Sequence, residues 1–521
     1  MESAHPGLYS ADLAPIPAEE RTWQWRSLAS ILAGAVFCVP TYLLSRGMME
    51  HGMSWWQAVL VVLAANLVLW LPMAMIGHAG TRYGIAYPVL LRASFGTMGA
   101  RLPVLLRSAL GIAWFAVQTW VASFAVYSLL NIILGGILEG PALPLLGVSF
   151  WQLFCFFGLW LAQFWVLRRW GMQGVHKLAW YGAPALLAAG LLLVLWAWVQ
   201  ADGFGSMLAS RSSFGEGQPM HGQAMLVFLP YLAGMTALWM LLAINIPDYT
   251  RYMRDQRQQV LGLFVGLPVA ITFFTLVGAT IPFATVDIFN TEVLDPLEVV
   301  GRMGGFARFF GLLAIILAAM TTNLFAHLVP AATGIVSLSP QRLDLRRAAT
   351  VAAVASLVLI PWRQLDWTGG TVFIWLMGLS ALLSPIVGIL VADYFVFRRR
   401  QLDVEALYQH PGAYSYLGGW SLTGLFALLV GDLLALPGFL MSVDLASADV
   451  VSPRLEMVYP YTPLLGLLVG GVVYLLLRLV QRLIWGRRPA AAGPPTAPSP
   501  EANTSSEEVA APAIAGGAPL Q

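Results

Sequence analysis

GIAWFAVQTW, residues 111–120, lies inside an apolar run from about Leu102 to Leu134. A run of that length crosses a bilayer core, which takes roughly 20 residues. Trp114 and Gln118 are four residues apart, so they share one face of the helix. A membrane helix rarely needs an amide or an indole at its centre. An aromatic plate with an amide one turn away suits a flat ring with polar edges. The alternative is that Trp114 packs against a neighbouring helix and Gln118 glues two helices together.

The rest of the chain has the same character. Of its 521 residues 58% are apolar and 10% charged, against about 25% charged in a soluble domain. The apolar runs are too long and too continuous for a β-barrel, whose strands alternate. The sequence predicts an all-α polytopic membrane protein with about twelve spans near 27–46, 54–77, 103–134, 148–168, 175–200, 221–246, 258–284, 305–337, 346–362, 370–397, 417–440 and 461–484. With these spans, 22 of the 28 Lys and Arg fall on one side, Arg107 and the arginines around residues 251 and 398 among them. By the positive-inside rule both termini are cytoplasmic, in the plasma or inner membrane. Residues 1–26 form a cytoplasmic segment with no cleavable signal pattern, and 489–521, rich in Ala, Pro, Gly, Ser and Glu, a disordered cytoplasmic tail. Cys38 and Cys155 both fall inside spans, which argues against a structural disulfide.

Several spans carry interruptions. The first has Gly34 and Pro40 at mid-depth. The sixth has Gly234 near its centre and ends in NIPDYTRY, 245–252. The eighth has MTTN, 320–323, and Pro330 beyond it. Backbone groups freed in a bilayer must be satisfied by protein, water or a ligand. Broken helices at corresponding positions of two halves point to a transporter site near the midplane. Gly and Pro are also simply common in membrane helices. Residues 78–102 are Gly-rich and basic, lack a Walker lysine, and read as a re-entrant or interfacial element against the helix ends. Asp248 and Asp393 sit beside arginines near cytoplasmic helix ends, where a structural ion pair is expected. Asp432 lies in the eleventh span.

Eight stretches, in order, resemble the nucleobase–cation symporters that carry hydantoins, uracil, allantoin, cytosine and purines. They are DLAPIPAEERTW (12–23), VPTYLLSRGM (39–48), GHAGTRYGIAYPVLLRASFG (77–96), GIAWFAVQTW, NIPDYTRY, TTN (321–323), SPIVGILVADYFVFRRR (384–400) and PGAYSYLGGWS (411–421). The hydantoin and uracil/allantoin branch is nearest in motifs. The resemblance implies a LeuT-like architecture: a ten-helix core over 27–397, with inverted repeats at 27–200 and 221–397, and two peripheral helices at 417–484. It implies that Trp114 stacks on the substrate ring, that Gln118 hydrogen-bonds its edge, and that Trp239 packs edge-on against it. It assigns Na⁺ to the carbonyls of Gly34, Phe37 and Ala318 and to Thr321 and Thr322, and an outer gate to Leu376. Cys38 and His327 stand where relatives often carry amides, at the substrate's polar edge.

The chemistry is consistent with that resemblance. Indoles give rigid apolar faces, and an amide both donates and accepts. Na⁺ prefers oxygen ligands, as hard cations do. For Thr321 and Thr322 the other reading is back-bonding within their own helix. Three function classes compete. The first is a symporter importing a planar nucleobase- or hydantoin-like ring with Na⁺, or with H⁺ as the alternative. The second is a same-fold transporter of an amino acid or amine. The third is an intramembrane enzyme, for which the chain offers no HExxH, GxSxG or paired ligands. The expected partners are a small heterocycle and the lipid bilayer, with no nucleic acid, no cofactor beyond Na⁺ and no obligatory protein partner.

Overall fold

The computed structural model describes residues 4–138, 140–143, 146–205, 207–208, 212–363, 371–446 and 452–485. The tail expected at 489–521 lies outside them. Among the described residues, eight helices are long and apolar enough to cross a membrane, and two bent pairs each make one further span. Each expected span meets a helix. Span one is the pair Trp25–Val36 and Val39–Glu50. Span two is Trp55–Tyr83 and span three Arg101–Ile133. Phe150–Gln200 holds spans four and five, divided at Gly171, where φ is 56°. Span six is Ala224–Asn245, seven Gln256–Phe289, eight Gly305–Leu338 and ten Trp375–Phe397. The short Leu345–Val358 is span nine. Leu422–Asp432 with Leu436–Ser442 forms span eleven, and Thr462–Trp485 span twelve.

The interruptions divide into three kinds. Span one turns by 72° between its halves. Phe37 caps the first half, and the Cys38 N–H turns back to the Val36 carbonyl at 3.0 Å. The Gly34 carbonyl therefore loses the amide that an intact helix would bring to it four residues on. Span eight does not break. It widens into a π-turn over Asn323–Leu328, and such insertions are frequent at functional sites. Span six corrects the expectation of a second broken helix. Ala224–Asn245 is one helix straight through Gly234. A Cβ at Gly234 would meet nothing within 4 Å, so no neighbour forces the chain apart there.

Residues 78–102 hold a helix, Tyr87–Phe95, with all nine residues buried. It packs against spans three, eight, ten and eleven, as an interfacial element should. Span three is the central post and lies along span eight and its π-turn. Spans eleven and twelve bind the core through span ten. Asp393 accepts from Arg398 Nε at 2.8 Å, Tyr474 at 2.6 Å and Ser94 at 3.1 Å. This is the structural ion pair the sequence suggested for Asp393. Cys38 and Cys155 are both buried and free.

Candidate functional site

One cavity, with about 230 Å³ of unfilled space, is lined by Cys38, Pro40, Trp114, Gln118, Leu238, Trp239, Leu241 and His327. All five residues expected at the substrate thus come together from spans one, three, six and eight. Trp114, Trp239, Cys38 and His327 are each at most 4% exposed. Trp114 and His327 lie nearly parallel, 11° apart, with ring centroids at 5.9 Å. Gln118 Nε2 donates to His327 Nε2 at 3.2 Å. That leaves the imidazole proton on Nδ1, which is buried without a partner. Trp239 Nε1 is likewise buried without an acceptor. An unmet buried donor costs about 1–3 kcal/mol, so these two N–H groups favour a ligand with acceptor edges. The Cys38 thiol is engaged with Thr41 Oγ1 at 3.3 Å.

A second space, about 510 Å³, shares Cys38, Pro40 and Gln118 and continues past Tyr42, Phe274, Pro296, Ile315 and Ala318. Leu376 is 3% exposed. Its helix packs on spans three and six, which carry Trp114 and Trp239.

The five residues expected at the cation fall in two adjoining sets. Thr322 Oγ1 reaches the Gly34 carbonyl at 3.2 Å and the Phe37 carbonyl at 3.5 Å, across from span eight to the break in span one. Thr321 Oγ1 instead donates within its own helix, to Leu317 at 3.0 Å and Ala318 at 2.9 Å. The sets touch: a Cβ on Gly34 would lie 3.2 Å from Thr321 Cβ and 2.9 Å from the Phe325 ring. Gly34 is required here because spans one and eight meet at that spot. The donor set is two hydroxyls and three carbonyls, with one carbonyl freed by the helix break. Those are hard oxygen ligands of the kind that suit Na⁺. Among the described residues no cluster of three His, Cys, Asp or Glu could hold a metal ion.

Beneath this cavity the structure adds residues that the sequence reading missed. Arg107, counted there among the basic rim, is fully buried. Its Nε donates to the Leu241 carbonyl at 3.0 Å and to Asn245 Oδ1 at 3.2 Å. Its Nη2 donates to Asn245 Oδ1 at 2.7 Å and to the Ala326 carbonyl at 2.6 Å. Tyr249 caps the Phe325 carbonyl, and Tyr87 donates to that of Pro330 at 3.2 Å. The carbonyls exposed by the π-turn and by Pro330 are thus satisfied by side chains from three other elements, as a bilayer interior requires. One signal was available: Arg107 lies two turns before Trp114, on the same helical face. The expected ion pair at Asp248 does not form. The carboxylate is 4% exposed. Its Oδ1 accepts from the Tyr87 N–H at 3.1 Å, and Oδ2 has no partner.

The comparisons agree with this architecture. Residues 15–462 match the family model of the permeases for cytosine/purines, uracil, thiamine and allantoin. The chain is 36% identical over 472 residues to the purine-uracil permease NCS1 of Arabidopsis thaliana, covering 90% of this chain and 77% of the relative. It is 29% identical over 478 residues to the allantoin permease of Bacillus subtilis (strain 168), covering 91% and 94%. In fold it resembles Mhp1, a nucleobase-cation-symport-1 family transporter solved in a closed conformation with bromovinylhydantoin bound. The TM-score is 0.72 at 22% identity, over 91% of this chain and 96% of that one. The expected LeuT-like helical architecture is therefore the one this chain adopts, and the enzyme reading falls away. A family match that spans nearly all of the helical core, together with a cavity built from the matched motifs, identifies the chain as a membrane permease of the cytosine/purine, uracil, thiamine and allantoin permease family.

Proposed function

We propose that the protein is a symporter that imports a planar nucleobase- or hydantoin-like heterocycle together with Na⁺. The observation that carries this reading is the meeting of Trp114, Gln118, Trp239, His327 and Cys38 around one buried cavity. Trp114 takes one face of the ring, and such stacking is worth about 1–3 kcal/mol per base. Trp239 closes on its edge. Gln118 and His327 exchange their mutual hydrogen bond for bonds to the ring's N–H and C=O groups. Cys38 and His327 differ from the amides often found in relatives, so they tune which ring is accepted. Uracil, allantoin and purines are the first candidates, since relatives are named for them.

Na⁺ sits among the Gly34, Phe37 and Ala318 carbonyls and the Thr321 and Thr322 hydroxyls. Thr322 already spans the break in span one. Filling the cation position joins spans one and eight beside the cavity, which gives ring and ion a shared interest in one arrangement. Leu376 closes the site from outside. The halves 27–200 and 221–397 then rock about it for alternating access, with both termini in the cytoplasm.

The test is uptake of labelled uracil, allantoin and adenine by proteoliposomes, with and without an inward Na⁺ gradient. One of these rings should accumulate only with Na⁺. Ring and ion should raise each other's affinity by the same factor, because linkage is reciprocal. Uptake indifferent to Na⁺ but abolished by a protonophore would overturn Na⁺ coupling and favour H⁺. An amine or amino acid in place of the ring would overturn the substrate reading.

A further inference from the structure

We propose that Arg107 is a positioning residue that holds the cytoplasmic floor of the site closed, and that Asp248 is the carboxylate it passes to when that floor opens. The proposal rests on the cavity around Trp114 being the substrate site.

Below the ring the guanidinium ties span three to spans six and eight. It sits on span three, two turns below Trp114. It holds the Leu241 carbonyl, two residues beyond Trp239, and the Ala326 carbonyl, next to His327. Arg suits this role because its planar fork presents several donors in fixed directions. All of its acceptors are neutral, and its Nη1 has no partner. No carboxylate lies within ion-pair distance of it among the described residues.

Asp248 is the complementary anomaly. It is a buried carboxylate with one oxygen unpartnered, near enough to Arg107 to feel its charge. Burial pushes its carboxyl up to about 7, against the pull of Arg251 and Arg107. The other ionisable groups around it are Tyr87 from the interfacial helix and Tyr249 and Tyr252 from its own segment. Span two faces the same turn with Gly77, Gly80 and Thr81, none of them ionisable. Arg107 in turn lies near enough to the His327 imidazole to affect it.

A buried guanidinium and a buried carboxyl, each with an unmet atom and not paired with one another, form a poor resting pair but a good switch. Parting spans three, six and eight would strip Arg107 of its carbonyls. A free guanidinium inside the protein is costly. A bidentate bond to Asp248 would offset that cost. The closed and open floors then differ by an exchange of partners rather than by a net loss of hydrogen bonds.

Asp248→Asn keeps the shape and removes the charge. Equilibrium binding of labelled uracil or allantoin, whichever the wild type takes up, should change by no more than about twofold, while Vmax falls at least about tenfold at unchanged KM. Asp248→Glu should recover part of Vmax. Opening itself is read without substrate from the thiol of Ser108→Cys, at a buried position of span three beside Gly334 of span eight. Its labelling from the cytoplasmic face by an impermeant maleimide, over the background of the two native cysteines, should fall in the Asp248→Asn protein. Wild-type Vmax in Asp248→Asn would overturn the proposal. So would loss of binding in step with uptake, or greater labelling, since a carboxylate that merely supports the closed floor gives those results. If no ring is taken up by the wild type, the functional reading fails, and the labelling still decides the exchange.

Discussion

Gly34 and Gly234 stand at mid-depth in spans one and six, in sequence settings that look alike, and their surroundings differ completely. A Cβ at Gly34 would press on the Phe325 ring at 2.9 Å and Thr321 at 3.2 Å, while at Gly234 it would meet nothing within 4 Å. Span one is bent by 72° just beyond Gly34, and span six runs straight through Gly234. A glycine permits a break but does not make one. What opens span one is a neighbour that donates to the freed carbonyls, here the Thr322 hydroxyl. Beside Gly234 the Thr236 hydroxyl bonds within its own helix, to the Leu232 carbonyl at 2.8 Å, so it satisfies a carbonyl without parting the helix.

If the broken region forms the working site, its aromatic wall should be the most sensitive point in the molecule. Trp114→Ala should weaken ring binding by about 10- to 100-fold, the range that loss of a stacked base implies. Trp114→Phe should keep part of the affinity. Thermal stability without ligand should fall as well, since Trp114 is buried in the core and a buried Trp→Ala costs about 3–5 kcal/mol; binding is therefore compared at a temperature where both proteins are folded. Full-affinity binding by Trp114→Ala would remove span three from the site.

Next comes the contact that the comparison turns on. Gly34→Val pushes two methyl groups into Phe325 and Thr321, and overpacking of a tight contact costs about 1–3 kcal/mol. The melting temperature should fall, and any Na⁺-dependent stabilisation should go with it. If the protein melts as before and keeps its Na⁺ response, spans one and eight do not need their close approach.

A smaller and more selective effect separates two adjacent hydroxyls. Thr322 bridges to span one, whereas Thr321 bonds within its own helix. Thr322→Ala should therefore reduce the Na⁺ enhancement of ring binding more than Thr321→Ala does, and neither should much change binding without Na⁺. Titrating the ring at several Na⁺ concentrations reads this directly. Equal losses would mean that Thr321 turns from its helix to the ion.

Much of this was legible in the sequence, for reasons that differ by residue. Long apolar runs set the spans, and the four-residue spacing put Trp114 and Gln118 on one face. Trp239, His327 and the oxygen set came only through motif resemblance, since spacing along a chain does not say which helices meet. The floor was legible only in one faint signal, the place of Arg107 two turns before Trp114 on the same helical face. Arg107 counted as one more basic residue near a helix end, because charge statistics do not distinguish a solvated rim from a buried fork. Asp248 beside Arg251 looked like an ion pair, yet Arg251 spends its guanidinium on the carbonyls of Asp12 and Ala14. Span six was misread because Gly234 was judged without knowing what stands opposite it.

The smallest expected effect is also the sharpest check on that misreading. Gly234→Ala adds one methyl where nothing lies within 4 Å. In a helix interior alanine is favoured over glycine by about 1 kcal/mol. The helix already has the right backbone there, so nothing needs to move. The variant should bind the ring and Na⁺ as the wild type does, and it should melt at the same temperature or slightly higher. Uptake should also be unchanged if span six moves as one rigid rod. A different outcome would be informative: normal binding and raised stability with uptake reduced about tenfold. Span six would then bend at Gly234 during the cycle, and the two glycines would be alike in motion though not in the structure at rest.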